Sequence, residues 1–485
     1  MTKHMTTPVL IVAAVALAMG FVTRVQAASD KPNILFIFAD DQCYQTLGAL
    51  NNDEVHTPNL DRLIKRGLTF THAYNMGSYS GAVCIASRMM LNSGRFVWHA
   101  QALHAQGEAE RKAGRWWSEH MKKAGYETYM TGKWHVRASA KKSFDHQVNE
   151  RPGMPKTVPE AYNRPVKGQP DKWSPYDTSL GGFWAGGKHW SEVVADDSVG
   201  FLQNAAKSDK PFFMYLAFNA THDPRQSPKE FIDMYPHEKV RVPDNYMDVY
   251  PYHEAMGLGP ADQKALRDEK LAPFPRTHYA VQVHRQEYYA LLTHMDQQIG
   301  RILDALEKTG KSDNTWIFFT ADHGLAVGQH GLMGKQNMFD HSVRVPFIVV
   351  GPGVKANTTS DTGIYLQDVM PTSLQLAGVP HPDHVEFKSL LPLIEGKTTK
   401  HYDAIYGAYM EDRQRAVTAG HYKLILYPRA KAVLLFDLAK DPHEMHNLAD
   451  DPAHKSKVHE LFNTLLAQQK IMDDKLNLRE YYPDL

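Results

Sequence analysis

Four short apolar runs along the chain predict the strands of one large sheet. They cover residues 33–39, 211–218, 315–320 and 345–350. A run of this length without alternating polar residues is typical of a strand that is buried on both faces, as in a mostly parallel sheet between helices. The pattern therefore predicts an α/β fold with a large mixed, mostly parallel sheet sandwiched by helices.

Amphipathic segments between these runs predict the helices. From Tyr288 onward, apolar residues recur every three or four positions as far as Leu306, and Gly310 supplies a C-terminal stop. Residues 116–123 show a shorter helical pattern ahead of a short strand at 126–131. Residues 150–200, where Pro, Gly and aromatic residues are frequent, are predicted to form long loops over one edge of the sheet.

The pattern changes near residue 396. Turn residues separate four short β-type runs at 402–409, 415–418, 422–427 and 433–438, and a helical pattern follows at 455–472. This order is typical of a small antiparallel sheet with one helix. We therefore predict a main domain over residues 28–395 and a C-terminal subdomain over residues 396–485.

Residues 1–27 have the features of a cleaved signal peptide. Lys3 and His4 precede an apolar run at 9–22, and Val25-Gln26-Ala27 has the small residues of a cleavage site. This segment predicts a periplasmic or secreted bacterial protein. No later segment approaches the ~18 apolar residues of a membrane span, so no span is predicted.

Charge and cysteine content exclude several classes of protein. The 54 Lys and Arg residues balance the 54 Asp and Glu residues, so the formal net charge is zero. A nucleic-acid-binding protein normally carries a basic excess, so no nucleic-acid partner is predicted. Cys43 and Cys84 are the only cysteines, which excludes both a disulfide-stapled scaffold and a four-cysteine zinc site.

Cys84 has the strongest sequence context for chemistry. A loop with Gly and Ser residues at 77–81 precedes it, and the helical segment 83–91 places Cys84 in a first turn. The free N–H groups and the positive dipole end of that turn face any bound group, and Arg88 lies one turn further along the same face. The residues predict either a nucleophile of lowered pKa or an anion site.

A group of carboxylates is predicted at the edge of the sheet. Asp40 and Asp41 follow the first apolar run, and Asp322 and His323 follow the third. Because strand ends of a mostly parallel sheet meet at one edge, these side chains are expected to lie together. Three carboxylates repel one another unless a cation neutralises them, and oxygen ligands suit Ca²⁺ or Mg²⁺.

The motifs together resemble those of the type I sulfatases of the alkaline phosphatase superfamily. The family signature is Cys or Ser, any residue, Pro, Ser and Arg, and this chain has Cys84-Ile-Ala-Ser-Arg88, with Ala86 where the commonest form has Pro. Three further segments are similar to family motifs, and they are Gly132-Lys-Trp-His135, Thr221-His-Asp-Pro224 and Gly331-Leu-Met-Gly-Lys335.

This resemblance implies a fold, a cofactor and a role for each residue. The fold would be alkaline phosphatase-like, with residues 28–395 as the catalytic domain. A sulfatase-maturating enzyme would oxidise Cys84 to formylglycine (3-oxoalanine), and a divalent metal ion, usually calcium, would touch that group. The implied metal ligands are Asp40, Asp41, Asp322 and His323, together with the modified Cys84; the implied catalytic residues are Cys84, Arg88, Lys133, His135, His222 and Lys335.

The sequence leaves the substrate open. Export favours a sulfated glycan, and Trp173, Trp184 and Trp190 in the predicted loops are candidates for stacking on sugar rings or for packing within the loop. A small ester such as choline sulfate is an alternative substrate. Two other functions remain open, namely a phosphonate or phosphodiester hydrolase of the same superfamily and a non-catalytic glycan-binding protein in which Cys84 is unmodified.

Overall fold

The structure is a computed structural model that describes residues 1–2, 31–155, 157–183, 187–257 and 266–485. The predicted signal peptide falls almost entirely outside the described residues and stays a prediction. Within the described part of the chain, no helix combines the length and the apolar character needed to cross a membrane.

Most of the strands belong to one of two sheets. In chain order the strands are β1 (Asn33–Ala39), β2 (Leu68–Phe70), β3 (Ala73–Tyr74), β4 (Gly77–Ser78), β5 (Glu127–Lys133), β6 (His146–Arg151), β7 (Phe212–Ala217), β8 (Thr315–Ala321), β9 (Arg344–Val345), β10 (Phe347–Val350), β11 (Thr358–Ser360), β12 (Ile364–Tyr365), β13 (Ile405–Tyr409), β14 (Gln414–Ala419), β15 (Tyr422–Tyr427) and β16 (Ala432–Asp437).

The large sheet has eight strands in the order β11-β2-β10-β8-β1-β7-β5-β6. Strand β1 lies at its centre and pairs in parallel with β7 on one side and β8 on the other. Strand β10 runs antiparallel to both of its neighbours, so the sheet is mixed and mostly parallel, as predicted. Every residue of β1, β7 and β8 is buried, which explains their uninterrupted apolar sequences.

Helices are distributed along the whole chain. They are α1 (Pro58–Arg66), α2 (Val83–Ser93), α3 (Val97–Ala102), α4 (Gly107–Lys112), α5 (Trp117–Lys123), α6 (Ala140–Ser143), α7 (Trp190–Ala205), α8 (Lys229–Asp233), α9 (His278–Lys308), α10 (Asp340–Val343), α11 (Val369–Leu376), α12 (Leu391–Ile394), α13 (Lys455–Met472) and α14 (Leu478–Tyr481).

Two helices differ from the expectation. Helix α9 begins at His278, ten residues before the predicted start, and the Thr277 side chain caps it by accepting a hydrogen bond from the N–H of Ala280. His284 and Glu287 in the first turns of α9 are buried. The sequence pattern predicts that polar residues of this kind are exposed, so it does not extend the helix to include them. Helix α7 occupies the end of the segment that was predicted to be loop.

The small sheet has the order β16-β15-β14-β13-β4. Strands β13 to β16 form the predicted antiparallel meander, and α13 coincides with the predicted helix. Strand β4, from the loop that precedes Cys84, adds a parallel edge to β13. Gly77 makes this approach possible, because a Cβ atom there would lie 2.0 Å from the carbonyl oxygen of Ala408. The small sheet therefore supports the loop that leads to α2.

Candidate functional site

The predicted carboxylates meet at the carboxyl edge of the large sheet. Asp40 follows β1 and Asp322 follows β8, and the register aligns the last residues of these parallel strands, Ala39 and Ala321. Asp41 adopts a left-handed backbone with φ of 59°, and its N–H donates to Oδ1 of Asp322 at 3.2 Å. The parallel pairing of the two strands thus brings together residues that are far apart in the chain.

Five potential ligand groups converge at this edge, namely Asp40, Asp41, Cys84, Asp322 and His323. All five are buried, and one ligand atom from each lies within 4.8 Å of the others. The carbonyl oxygen of Gly324 accepts a hydrogen bond from Nδ1 of His323 at 2.9 Å, so Nε2 is the ring nitrogen that faces the carboxylates, 3.2 Å from Oδ1 of Asp41. This donor set fits the divalent metal that the sequence predicts.

Each of the three carboxylates also contacts a buried cation. The pairs are Asp40 with Lys133, Asp41 with Lys335 at 2.7 Å from Nζ to both carboxylate oxygens, and Asp322 with Arg88 at 2.9 Å from Nε to Oδ2. Arg88 also donates from Nη1 to the carbonyl oxygen of Lys133 at 2.7 Å. Charge is therefore compensated locally within the cluster, which lowers the cost of burying it.

Cys84 is the second residue of α2 and its thiol lies inside this cluster. The Sγ atom is 3.5 Å from Oδ1 of Asp40, 3.3 Å from Nε2 of His323 and 3.5 Å from Nζ of Lys335. Burial raises the pKa of the Cys84 thiol, but Lys133, Lys335 and His323 together with the neighbouring His135 outweigh this effect and hold the pKa well below its ordinary value. The surroundings of the unmodified side chain therefore favour the thiolate form.

Strand β5 delivers Lys133 and, two residues later, His135. Gly132 allows the strand to approach its neighbour, because a Cβ atom there would lie 1.8 Å from the carbonyl oxygen of Ala217. His135 has a left-handed backbone with φ of 51°, and its side chain lies close enough to Cys84 to lower the pKa of the thiol. Burial holds the pKa of His135 below its ordinary value, which favours the neutral ring.

His222 lies next to the cluster, in the loop after β7. Thr221 anchors this loop, since its hydroxyl donates to the carbonyl oxygens of Asp40 and Asp41 at 3.2 and 3.1 Å. The Nε2 atom of His222 is 3.9 Å from Oδ2 of Asp41, and its Nδ1 donates to the carbonyl oxygen of Asp223 at 2.7 Å. All the predicted site residues therefore surround one buried cluster, while their individual roles stay predictions.

Sequence reasoning missed several polar residues next to this cluster. Asp223, Arg267, Asp268 and Gln336 form ion pairs and hydrogen bonds close to His222 and Lys335. Asp223 lies inside the Thr221–Pro224 motif, directly after His222. Arg267 and Asp268 belong to no recognised motif, so only the fold reveals them.

The tryptophans proposed as sugar-stacking faces are mostly unavailable. Trp173 and Trp190 expose only 6% and 8% of their surfaces. The guanidinium of Arg151 covers the ring of Trp190 at 4.6 Å from the ring centroid. Hydrophobic packing is therefore the correct interpretation for these two residues, and Trp184 lies outside the described residues.

Comparison with known proteins identifies the family. The Sulfatase family model matches residues 32–379. A second model, described as N-sulphoglucosamine sulphohydrolase, C-terminal, matches residues 328–471. Because the first match spans more than half of the chain, the protein belongs to the sulfatase family, and the predicted family is confirmed.

Two sequence relatives agree with this assignment over almost their full length. An arylsulfatase of Clostridium perfringens is 29% identical, with 90% of this chain and 94% of the relative covered. An N-acetylglucosamine-6-O-sulfatase of Bacteroides thetaiotaomicron is 27% identical, with 92% of this chain and 87% of the relative covered. Both names denote sulfuric ester hydrolases, and the predicted enzyme class is confirmed.

A solved structure supports the fold. It contains a protein in complex with its substrate, D-glucosamine-2-N,6-O-disulfate, and it superposes with a TM-score of 0.71 at 24% identity. The superposition covers 92% of this chain and 99% of the other. The predicted alkaline phosphatase-like arrangement of sulfatases is thereby confirmed.

Proposed function

We propose that this sulfatase releases sulfate from sulfated carbohydrates in the periplasm or outside the cell, through a formylglycine made from Cys84. The observation that carries the proposal is the position of the Cys84 Sγ atom. It lies within 3.5 Å of Asp40, His323 and Lys335, in the first turn of the helix that also carries Arg88. A nucleophile at this position faces an anion-binding site and a candidate metal site together.

The metal and the modified residue fit the residues that surround them. Asp40, Asp41, Asp322 and His323 would hold Ca²⁺, or Mg²⁺, because three carboxylates and one imidazole nitrogen converge there. When bound, the ion would polarise a sulfate oxygen, and formylglycine would supply an oxygen nucleophile in place of the thiol. A sulfatase-maturating enzyme would install the aldehyde.

The other side chains of the site stabilise negative charge on the substrate or transfer protons. Lys133, Lys335 and Arg88 place positive charge around the position of the sulfate group, which stabilises the negative charge that develops on its oxygens. His222 presents Nε2 toward the site, and we assign it as the donor of a proton to the departing alcohol oxygen. His135, a neutral ring beside position 84, is assigned as the acceptor of a proton from that residue.

Support for a carbohydrate substrate comes from the relatives, because one of them is named for a sulfated amino sugar. A small ester such as choline sulfate stays an alternative, and so does a phosphonate or phosphodiester. The deciding experiment incubates the mature protein with sulfated oligosaccharides, choline sulfate and a phosphodiester, and measures the sulfate released from the esters and the alcohol released from the phosphodiester. Faster turnover of the phosphodiester would overturn the sulfatase proposal.

A second measurement separates the enzyme from a non-catalytic glycan-binding protein. Mass analysis of the peptide that contains position 84, from protein made in its native host, should show the mass of formylglycine in place of cysteine. An unmodified thiol in all molecules, with glycan binding but no sulfate release, would support the binding protein instead.

A further inference from the structure

A continuous chain of polar contacts joins His222 to Lys335, through residues to which the recognised motifs assign no role. Both carboxylate oxygens of Asp223 contact the guanidinium of Arg267, with Nη2 3.0 Å from Oδ1. Arg267 also pairs with Asp268 at 2.5 Å, and Asp268 accepts a hydrogen bond from Nε2 of Gln336 at 2.9 Å. The N–H of Lys335 donates to Oε1 of Gln336 at 3.0 Å, which completes the connection. We call Asp223, Arg267, Asp268 and Gln336 the polar chain.

Burying the charged and polar groups of the polar chain costs free energy unless each group has a hydrogen-bond or ion-pair partner. Asp223, Asp268 and Gln336 are buried, whereas the Arg267 side chain retains 30% of its exposure. Burial raises the pKa of Asp223, but the charges of His222 and Arg267 lower it by a larger amount. The pKa of Asp223 therefore lies below its ordinary range. The carboxylate is therefore ionised, and Arg267 compensates its charge from the solvent side.

Two acceptors from Asp223 face the same nitrogen of His222. The main-chain carbonyl oxygen lies 2.7 Å from Nδ1, and the carboxylate Oδ1 lies 3.3 Å from it. A carbonyl and a carboxylate can only accept, so Nδ1 carries a proton and Nε2 is the nitrogen that faces the site. The two contacts together hold the ring so that Nε2 lies 3.9 Å from Oδ2 of Asp41.

We propose that Asp223, held in place by Arg267, is a positioning residue that orients the ring of His222 with Nε2 toward the site. This inference rests on the proposed function, because it needs His222 to assist the departure of an alcohol. It adds two residues that the recognised motifs do not assign. Asp268 and Gln336 extend the same support to Lys335, so one polar chain sets the separation of the acid and the lysine.

The test uses substrates that differ in their need for a proton. A sulfated sugar has a basic alcohol leaving group, whereas a nitrophenyl sulfate has a good leaving group that departs without help. Asp223→Asn keeps the size and the main-chain carbonyl but removes the charge. We expect kcat on the sulfated sugar to fall about 10- to 100-fold, the range typical of residues that orient a functional side chain, with little change on the nitrophenyl sulfate.

Two further variants make the test specific. In a His222→Ala background, Asp223→Asn should cause no additional loss on the sulfated sugar, because the group that it positions is gone. Arg267→Gln changes a partly exposed side chain and leaves the carboxylate in place. It should give a smaller loss with the same dependence on the leaving group, and it decides the question if Asp223→Asn does not fold.

The control is Asp474→Asn, which removes another buried carboxylate that is paired with an arginine. Asp474 follows α13, outside the site, and accepts hydrogen bonds at 2.7 and 2.9 Å from Arg415 of the small sheet. It should leave the ratio of the two activities unchanged. Equal losses on both substrates in Asp223→Asn, or an additional loss in the His222→Ala background, would overturn the positioning role. Failure of the wild-type protein to release sulfate from any ester would instead overturn the proposed function.

Discussion

Arg88 and Asp322 are 234 residues apart in the chain, yet Nε of the arginine lies 2.9 Å from Oδ2 of the aspartate, with both side chains fully buried. This pair joins the helix that carries the nucleophile position to the strand end that carries the candidate metal ligands. The guanidinium also lies over the ring of Phe38 at 4.6 Å from the ring centroid. Arg88 therefore helps to fix the position of α2 against the end of β8, together with Ser87, whose hydroxyl donates to the carbonyl oxygen of Asp322 at 2.8 Å.

Removing that arginine should destabilise the fold as well as the site. Arg88→Met leaves a buried carboxylate without its cation, and breaking such a pair typically costs about 3–5 kcal/mol. Urea denaturation of the variant measures the change in the free energy of unfolding. The control is Arg62→Met, where the ion pair with Asp304 is largely exposed and should contribute less than about 1 kcal/mol. A similar small effect in both variants would contradict the structural role of the buried pair.

The sequence pattern predicted the elements that are uniformly apolar or regularly amphipathic. Strands β1 and β8 and helix α13 lie where the pattern placed them. The two strands are buried along their whole length and the helix is buried on one face, so their apolar residues follow a simple pattern in the sequence. The carboxylate cluster was also predictable, since the topology rule places strand ends of a parallel sheet at one edge. The start of α9 was missed because buried His284 and Glu287 interrupt the apolar period.

The contacts within the polar chain could not be predicted from the sequence. Asp223 and Arg267 contact each other only because two loops fold over the same edge of the sheet, and neither loop has a period that fixes its path. Strand β4 was missed for a similar reason: two residues are too few for a pattern, and their pairing depends on a distant partner, β13. Contacts of this kind depend on how distant segments pack in the folded protein, which no local sequence pattern records.

Replacing the nucleophile position should separate chemistry from folding. Cys84→Ala removes the Sγ atom and leaves the sheet untouched, so we expect sulfate release to be abolished and the thermal unfolding midpoint to stay close to the wild-type value. More than a trace of turnover in the purified variant would rule out the formylglycine mechanism. The companion variant Cys84→Ser keeps only one hydroxyl. It should remain sulfated after a single event, and the mass of the peptide that contains position 84 reports that sulfate.

Metal removal should also stop the reaction. Asp40, Asp41 and Asp322 lie within one cluster, and burial raises the pKa of Asp40, with the neighbouring charge of Asp322 raising it further. A divalent cation would relieve this repulsion and hold the carboxylates ionised. We expect exhaustive chelation to abolish sulfate release, and added Ca²⁺ or Mg²⁺ to restore it. Full activity in protein shown by elemental analysis to be free of metal would exclude the assignment.

The His222→Ala variant tests whether this residue donates a proton or only binds the substrate. A proton donor matters most when the leaving alcohol is basic, so the loss of kcat on a sulfated sugar should reach about 10²- to 10⁴-fold. The same variant should hydrolyse a nitrophenyl sulfate at a rate much closer to that of the wild type. His120→Ala is the control, because His120 stacks on His384, away from the cluster; it should leave both activities in their wild-type ratio. Equal losses on the two substrates in His222→Ala would refute the acid role and leave the sulfatase assignment intact.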